Sequence, residues 1–356
     1  MLLLEDHWTW DFWFTTHGRD IHLFFLKAPR DLGDPDLRHQ NARIGHAVSQ
    51  DLRTWTVLPD ALAPGAAGAW DDMATWTGSV LKVDGGWSMF YTGISRSDNG
   101  LRQRIGRADS ADLITWTKDE HFVLEADPAH FEQLDTTVWP DLCWRDPCVF
   151  ADPDNGGYAM LVTARVPHGP VDGRGVVGLL RSDDLRNWTV IGPVTEPGDF
   201  GHLEVPQVVA IGGRHYLVFC AYAFANSAAR AARVGRSTGT HYYVGDSATG
   251  PFKPWTDELF AADEAGSMYA GKIVRDPATQ DWAFMGFLQH DVDGTFIGAL
   301  SDPVPIDVRP DGGLSLRQPV SAQVGPRTEA RRPVHGRGPL GGSVPREMSD
   351  GRPGRE

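Results

Sequence analysis

The segment Arg43-Ile44-Gly45-His46-Ala47-Val48-Ser49-Gln50-Asp51-Leu52-Arg53-Thr54-Trp55 returns as Arg104-Ile105-Gly106-Arg107-Ala108-Asp109-Ser110-Ala111-Asp112-Leu113-Ile114-Thr115-Trp116. A third copy is Val177-Gly178-Leu179-Leu180-Arg181-Ser182-Asp183-Asp184-Leu185-Arg186-Asn187-Trp188. A looser fourth runs from Tyr243-Val244-Gly245-Asp246-Ser247 to Trp255, and a degenerate fifth is Ile297-Gly298-Ala299-Leu300-Ser301-Asp302. Each copy reads as a short strand ending in Ser, a turn whose polar side chains cap the backbone, and a Trp that opens the next strand. An apolar strand precedes each: Ile21 to Leu26, Trp87 to Tyr91, Tyr158 to Val162, His215 to Phe219 and Trp282 to Phe287. Repetition of one supersecondary unit decides the fold before any single element does. Five such pairs predict an all-β protein, a five-bladed β-propeller of four-stranded antiparallel blades, because a closed ring protects the edges of its sheets. A β-sandwich is the alternative, and it leaves the repeated hairpin unexplained. Only residues 61–68 and 227–234 read as helical.

Composition agrees with a folded chain that has many turns. Of 356 residues, 41% are hydrophobic and 22% charged, enough to bury a large core. Gly (40) and Pro (25) lie between short apolar runs, as short strands and tight turns require. Lys and Arg total 33 against 47 acids, so a net charge of −14 argues against nucleic acid or anionic membrane as a partner. No run approaches the ~20 apolar residues of a membrane span. Cys143, Cys148 and Cys220 are odd in number and form no CxxC, so they read as free, mostly buried thiols. Met1-Leu2-Leu3-Leu4-Glu5-Asp6 has no basic region and no long apolar run, which predicts a cytoplasmic protein. The propeller is expected over residues 1–320. Residues 321–356 are rich in Pro, Gly and Arg, carry seven Arg against four acids, and are expected to be a disordered tail.

Three carboxylates fall where inner strands should begin. Asp11 lies in His7-Trp8-Thr9-Trp10-Asp11-Phe12-Trp13-Phe14, Asp146 in Trp144-Arg145-Asp146-Pro147-Cys148-Val149-Phe150, and Glu204 in Gly201-His202-Leu203-Glu204-Val205-Pro206-Gln207. An acid set among apolar strand residues costs several kcal/mol to bury unless something pairs with it or uses it. Any one of them could be satisfied by backbone amides or an arginine, and Arg145 adjoins Asp146. Three on inner strands around one channel point instead to a site.

These motifs resemble a known group. Trp10-Asp11-Phe12-Trp13, Trp76-Thr77-Gly78-Ser79, Phe90-Tyr91-Thr92-Gly93, Arg145-Asp146-Pro147 and Glu204-Val205-Pro206 are similar to the ordered signatures of the fructoside-acting glycoside hydrolases of families 32 and 68. The resemblance implies a five-bladed propeller, a nucleophile at Asp11, a general acid/base at Glu204, and a stabiliser at Asp146 that grips hydroxyls of the furanose ring. Trp10, Trp13 and Trp76 read as aromatics at the channel mouth that offer apolar faces to the sugar, Arg145 is expected to hold Asp146 ionised and to bond the substrate, and the resemblance adds Tyr269, in Ser267-Met268-Tyr269-Ala270, as a sugar contact. Ser79 is expected to donate to Asp11 and orient it. Each of these Trp residues has propeller core as its alternative reading. Val205 stands where family 32 usually has Cys, Trp-Asp-Phe-Trp is closer to family 68, and the residues left after the propeller cannot hold the C-terminal β-sandwich usual in family 32. Retaining hydrolysis needs one ionised and one protonated carboxyl, and crowding three acids should raise at least one pKa, with Glu204 the expected holder of the proton.

The activity expected is retaining hydrolysis of β-fructofuranosides such as sucrose or short fructo-oligosaccharides, with fructosyl transfer as a companion reaction. The partner is then a small carbohydrate, no cofactor is called for, and the oligomeric state stays open. Asp152-Pro153-Asp154-Asn155-Gly156-Gly157 starts like a calcium loop but lacks its bidentate ligand and reads as a turn, and the 13 His show no paired metal spacing, so no metal is assigned. Two alternatives remain: an inverting furanosidase of the family 43 type, such as an arabinofuranosidase, and a non-catalytic carbohydrate-binding propeller.

Overall fold

The computed structural model describes residues 1–320, apart from 264, 265 and 292. The expected tail at 321–356 lies outside the described residues. Blade one consists of β1 (His7–His17), β2 (Asp20–Pro29), β3 (Arg43–Ser49) and β4 (Thr56–Leu62). Blade two is β5 (Ala74–Val83), β6 (Gly86–Ile94), β7 (Arg104–Ser110) and β8 (Thr117–Leu124). Blade three is β9 (Arg145–Ala151), β10 (Tyr158–Arg165), β11 (Gly175–Ser182) and β12 (Thr189–Pro193). Blade four is β13 (Glu204–Ile211), β14 (Arg214–Ala221), β15 (Gly239–Gly245) and β16 (Lys253–Pro254). In blade five, β17 (Tyr269–Arg275) and β18 (Trp282–His290) are followed by a broken third strand, β19 (Phe296–Leu300) with β20 (Val304–Val308), and by β21 (Leu314–Leu316). The innermost strands β1, β5, β9, β13 and β17 pack in ring order, and β17 meets β1 again. The fold is the five-bladed propeller that the repeats predict, and no β-sandwich follows the fifth blade among the described residues.

The repeated hairpin has a common physical basis. In the first three blades the turn Asp accepts two backbone amides: Asp51 from Arg53 and Thr54 at 2.8 and 2.6 Å, Asp112 from Ile114 and Thr115 at 2.9 and 2.7 Å, and Asp184 from Arg186 and Asn187 at 2.9 and 2.8 Å. The following Leu takes a left-handed backbone, with φ of 61° at Leu52, 65° at Leu113 and 61° at Leu185, and turns its side chain into the core. The Trp then crosses to the blade before: Trp116 meets Phe24 edge-on at 5.7 Å, and Trp188 meets Phe90 at 5.6 Å. One motif therefore closes its own hairpin and glues its blade to the previous one.

The ring closes through the N-terminus. Leu2 and Leu300 exchange backbone hydrogen bonds of 3.0 Å each way, so the first residues add a pairing partner to β19. Thr9 Oγ1 donates to Gly298 O at 3.0 Å from the same side of the seam. The expected helix at 227–234 is present as α1 (Ala228–Val234), capped by Ser227. The one expected at 61–68 is not. Its first residues complete β4, whose pairing with β3 buries Ala61 and Leu62, and Gly65 and Gly68 then carry a turn.

Candidate active site

Every innermost strand has a bulge at the same end of the channel. The pairing of β1 with β2 skips Asp11, and that of β5 with β6 skips Thr77. On β9, β13 and β17 two residues face one: Asp146-Pro147, Val205-Pro206 and Ala270-Gly271. The first of each pair has positive φ, 60° at Asp146, 49° at Val205 and 48° at Ala270. A non-glycine residue held there is strained by roughly 1–3 kcal/mol and persists only where the surroundings over-determine it. Bulges re-aim side chains. Here they turn Asp11, Arg145, Asp146, Glu204 and Tyr269 into one cavity of about 320 Å³ at the centre of the ring.

Trp10 and Trp76 line that cavity with them, as the sequence predicts. Trp13 and Ser79 do not. Trp13 is buried in blade one, stacked on Phe24 at 6.1 Å, so its core alternative is the correct one. Ser79 accepts the amide of Val149 at 2.9 Å and ties β5 to β9. The hydroxyl that orients Asp11 belongs to Thr77, which donates to Oδ2 at 2.9 Å. Arg38, His39, Trp139, His202, Tyr222 and Phe224 are also among the lining residues and escaped the sequence reading. Arg38 and His39 come from a 3₁₀ segment, Pro35–Asn41, with no strand periodicity to place it. Nothing in the sequence marks His39: it is 29 and 37 residues from Trp10 and Trp76, rings that it meets edge-on at 5.9 and 6.3 Å only in the fold.

The carboxylates have unequal surroundings. Glu204 Oε1 accepts Arg145 Nη2 at 2.6 Å and Nε at 3.1 Å, its Oε2 accepts the Tyr269 hydroxyl, and His202 Nε2 lies 3.3 Å from Oε2. Arg145, Glu204 and Tyr269 occupy the same position, just before the positive-φ residue, on three successive inner strands. Asp146 Oδ2 accepts the Val205 amide and the Thr163 hydroxyl, both at 3.0 Å, while Arg145 Nε stays 3.9 Å away. Arg145 therefore serves Glu204 more closely than Asp146, the reverse of what adjacency in sequence suggests. Behind the trio, the buried Lys272 donates to Val205 O at 2.6 Å and pins the bulge that follows Glu204.

These contacts decide where a proton sits. Burial alone would raise Glu204, but His202, Arg145 and the Tyr269 hydroxyl outweigh it and hold the carboxyl down to about 2. Burial, then the charges of Asp146 and Glu204, push Asp11 up to about 7 against the smaller pull of Thr77 and Lys272. Burial also raises Asp146, with Arg145 opposing it. Burial and crowding together raise Asp11 and Asp146, whereas Glu204, the expected holder of the proton, is pushed down.

A ring of blades around a pocket lined by four acids, Asp11, Asp141, Asp146 and Glu204, the last gripped by an arginine, defines a carbohydrate-active propeller. Residues 14–316 match the glycosyl hydrolases family 32 N-terminal domain, and the chain belongs to that family of glycoside hydrolases. It is 31% identical over 192 residues to a sucrose-6-phosphate hydrolase of Zymomonas mobilis, an alignment covering 49% of this chain and 34% of that protein. It is 24% identical over 366 residues to the extracellular sucrase of the same organism, covering 88% of this chain and 82% of the sucrase. Among solved structures, the inulosucrase from Halalkalicoccus jeotgali bound to kestose superposes with a TM-score of 0.73 at 24% identity, over 91% of this chain and 92% of that one. The levansucrase from Gluconacetobacter diazotrophicus gives 0.67 at 19% identity, over 89% and 81%. These two share the fold. The aligned part spans about a third of the sucrose-6-phosphate hydrolase and most of the sucrase.

Proposed function

We propose that this protein is a retaining β-fructofuranosidase that cleaves sucrose or short fructo-oligosaccharides and passes some of the fructosyl group to sugar acceptors. The observation that carries the reading is the convergence of Asp11, Asp146 and Glu204 in one pocket, with a separate hydrogen-bond environment for each. In this reading an Asp11 oxygen attacks the anomeric carbon while Glu204 delivers a proton to the glycosidic oxygen, so the carbon–oxygen bond breaks and the leaving sugar departs neutral. Water then attacks the fructosyl ester, Glu204 takes its proton, and the bond to Asp11 breaks with a second inversion. Asp146 holds ring hydroxyls, a role supported by its fixed orientation between Thr163 and the Val205 amide. Trp10 and Trp76 offer apolar faces to the sugar. The reaction needs Asp11 ionised and Glu204 protonated, the reverse of the direction in which burial and the neighbouring groups push these two carboxyls. Names of relatives support the substrate class: a sucrase and several sucrose-6-phosphate hydrolases.

A cytoplasmic location is part of the proposal and draws on the three unpaired thiols Cys143, Cys148 and Cys220, which suit a reducing compartment. The function is tested by incubating the purified protein with sucrose, 1-kestose, inulin, levan and an aryl arabinofuranoside while the first product anomer is followed by NMR. Release of β-fructose from the short fructosides is expected. Turnover of the arabinofuranoside alone, an inverted first product, or binding without turnover would each overturn the reading.

A further inference from the structure

The reaction asks for an ionised Asp11, which burial and two acidic neighbours oppose. Arg145 gives little relief, because its Nε and Nη2 are engaged by Glu204 Oε1 and it stands 3.9 Å from Asp146. A second cation, Lys272, lies among the inner strands. It follows the Ala270-Gly271 bulge of β17 and is 4% exposed. Its place follows from the bulge on β13. The ladder with β14 pairs Glu204 with Cys220 and next Gln207 with Val218, so the backbone groups of Val205 and Pro206 need partners elsewhere. Pro206 has no N–H. The Val205 amide donates to Asp146 Oδ2 at 3.0 Å, and the Val205 carbonyl accepts Lys272 Nζ at 2.6 Å, with Pro206 O at 3.5 Å from the same nitrogen. Beside it, Ile273 and the Gln207 side chain exchange two hydrogen bonds of 2.8 Å, which fix β17 against β13. Val205 is thus tied on its amide side to Asp146 and on its carbonyl side to Lys272.

A neutral donor would satisfy that carbonyl, and an ammonium costs far more to bury unless an anion compensates it. Burial lowers the Lys272 pKa, and Cys148, Cys220, Asp146 and Asp11 oppose the fall. Burial pushes both thiols up, Cys220 to about 12, so they stay neutral and the anions that compensate Lys272 are the two carboxylates. Asp11 is faced by Asp146 from β9, Glu204 from β13 and Lys272 from β17, while Thr77 donates to it from β5. Arg38 and Tyr222 face it from connections between strands. Burial keeps the Tyr222 hydroxyl neutral, and Arg38 donates to Pro35 O at 2.8 Å and lies over the rings of Trp10 and Phe296. We infer that Lys272 is a positioning residue of the reaction, its buried ammonium being the counter-charge against which the nucleophile Asp11 ionises. Lys272 is not among the residues that line the pocket, so it acts through Asp11 and not on the sugar. The inference rests on the fructosidase reading and adds the group that favours its working form.

The test follows kcat/KM for fluoride release from β-fructofuranosyl fluoride, whose departure needs no acid, so that its rise with pH reports the ionisation of Asp11. Lys272→Gln keeps a donor for the Val205 carbonyl and loses the charge; Lys272→Met loses both. In each variant the rise should move up by about one pH unit, the effect of one removed counter-charge. The rate deficit should then be about tenfold at pH 5.5 and should close toward pH 9. A deficit that does not vary with pH, no deficit, or a Gln variant that matches the parent while Met fails would each overturn the counter-charge and leave the fructosidase reading in place. A parent that releases no fluoride would overturn that reading and the inference with it. Coupling between the two groups is reciprocal, which gives a second measurement that needs no change at Lys272. In protein carrying 15N-labelled lysine, Lys272 Nζ should lose its proton at lower pH in Asp11→Asn than in the parent, and an unchanged titration would overturn the inference.

Discussion

Burial and the neighbouring acids push the Asp11 carboxyl up to about 7, whereas His202, Arg145 and the Tyr269 hydroxyl hold Glu204 down. Glu204 is the better solvated by its partners: a doubly donating arginine and a tyrosine hydroxyl make its ionised form cheap to keep. Asp11 has a single hydroxyl donor and two acidic neighbours. This has a measurable consequence for stability. The folded Asp11 pKa is raised from 3.8 to about 7, so between those values the unfolded chain has released a proton that the folded chain still binds. Stability from this group is therefore full below pH 3.8 and lost as pH rises toward 7. Asp11→Asn keeps an acceptor for Thr77 and removes the titration. Its melting temperature should exceed the parent's by a margin that widens from pH 5 to pH 8, reflecting up to a few kcal/mol. A margin that is constant or shrinks over that range in paired thermal melts would show that Asp11 is not the acid whose pKa is raised.

The bulges explain which parts of the site were legible in the sequence. A strand read with period two places residues i and i+2 on one face. Applied here, that rule would put Trp13 on the face of Asp11 and Ser79 on the face of Thr77, and it fails in both cases for one reason. Asp11 and Thr77 are themselves the extra residues in the pairing, so alternation restarts after them and the residues two further on face elsewhere. Asp146, Glu204 and Tyr269 escape the error because each was identified from its motif and sits at the bulge rather than beyond it. The rim residues were illegible for a different reason. Arg38, His39, Tyr222 and Phe224 come from connections between strands, where side-chain direction follows backbone hydrogen bonds and not periodicity. The hairpins were legible because a Ser, an Asp and a Leu each perform a local task that their chemistry dictates.

At the scale of the whole ring, the repeats show how many blades there are but not how the circle is joined. The seam lies between blades five and one, and residues at the N-terminus bind it: Leu2 pairs with Leu300, and Leu2 and Leu4 are both buried. Nothing in the composition of Met1-Leu2-Leu3-Leu4 distinguishes a seam from a loose end, which is why this role was invisible in the sequence. Deleting residues 1–4 removes two buried leucines and a backbone pairing, a loss of roughly 3–5 kcal/mol, and should lower the melting temperature by roughly 5–10 °C. Ending the chain at Val320, after the last strand and its buried neighbour, should leave both melting temperature and activity unchanged. Calorimetry of the two truncated chains beside the parent checks both. A large effect at the C-terminal cut with none at the N-terminal one would mean that the ring is closed from the other end.

The account stands on Asp11 as the atom donor to a covalent intermediate, and one measurement reaches that claim directly. In Glu204→Ala the second step loses its base, whereas β-fructofuranosyl fluoride needs no acid to depart, so the fructosyl ester should accumulate. Acid quenching, proteolysis and peptide mass spectrometry should then find one fructosyl group on the peptide that contains Trp10-Asp11-Phe12. An adduct on Asp146 or another carboxylate, or fluoride release with no adduct and an inverted product, would contradict the account.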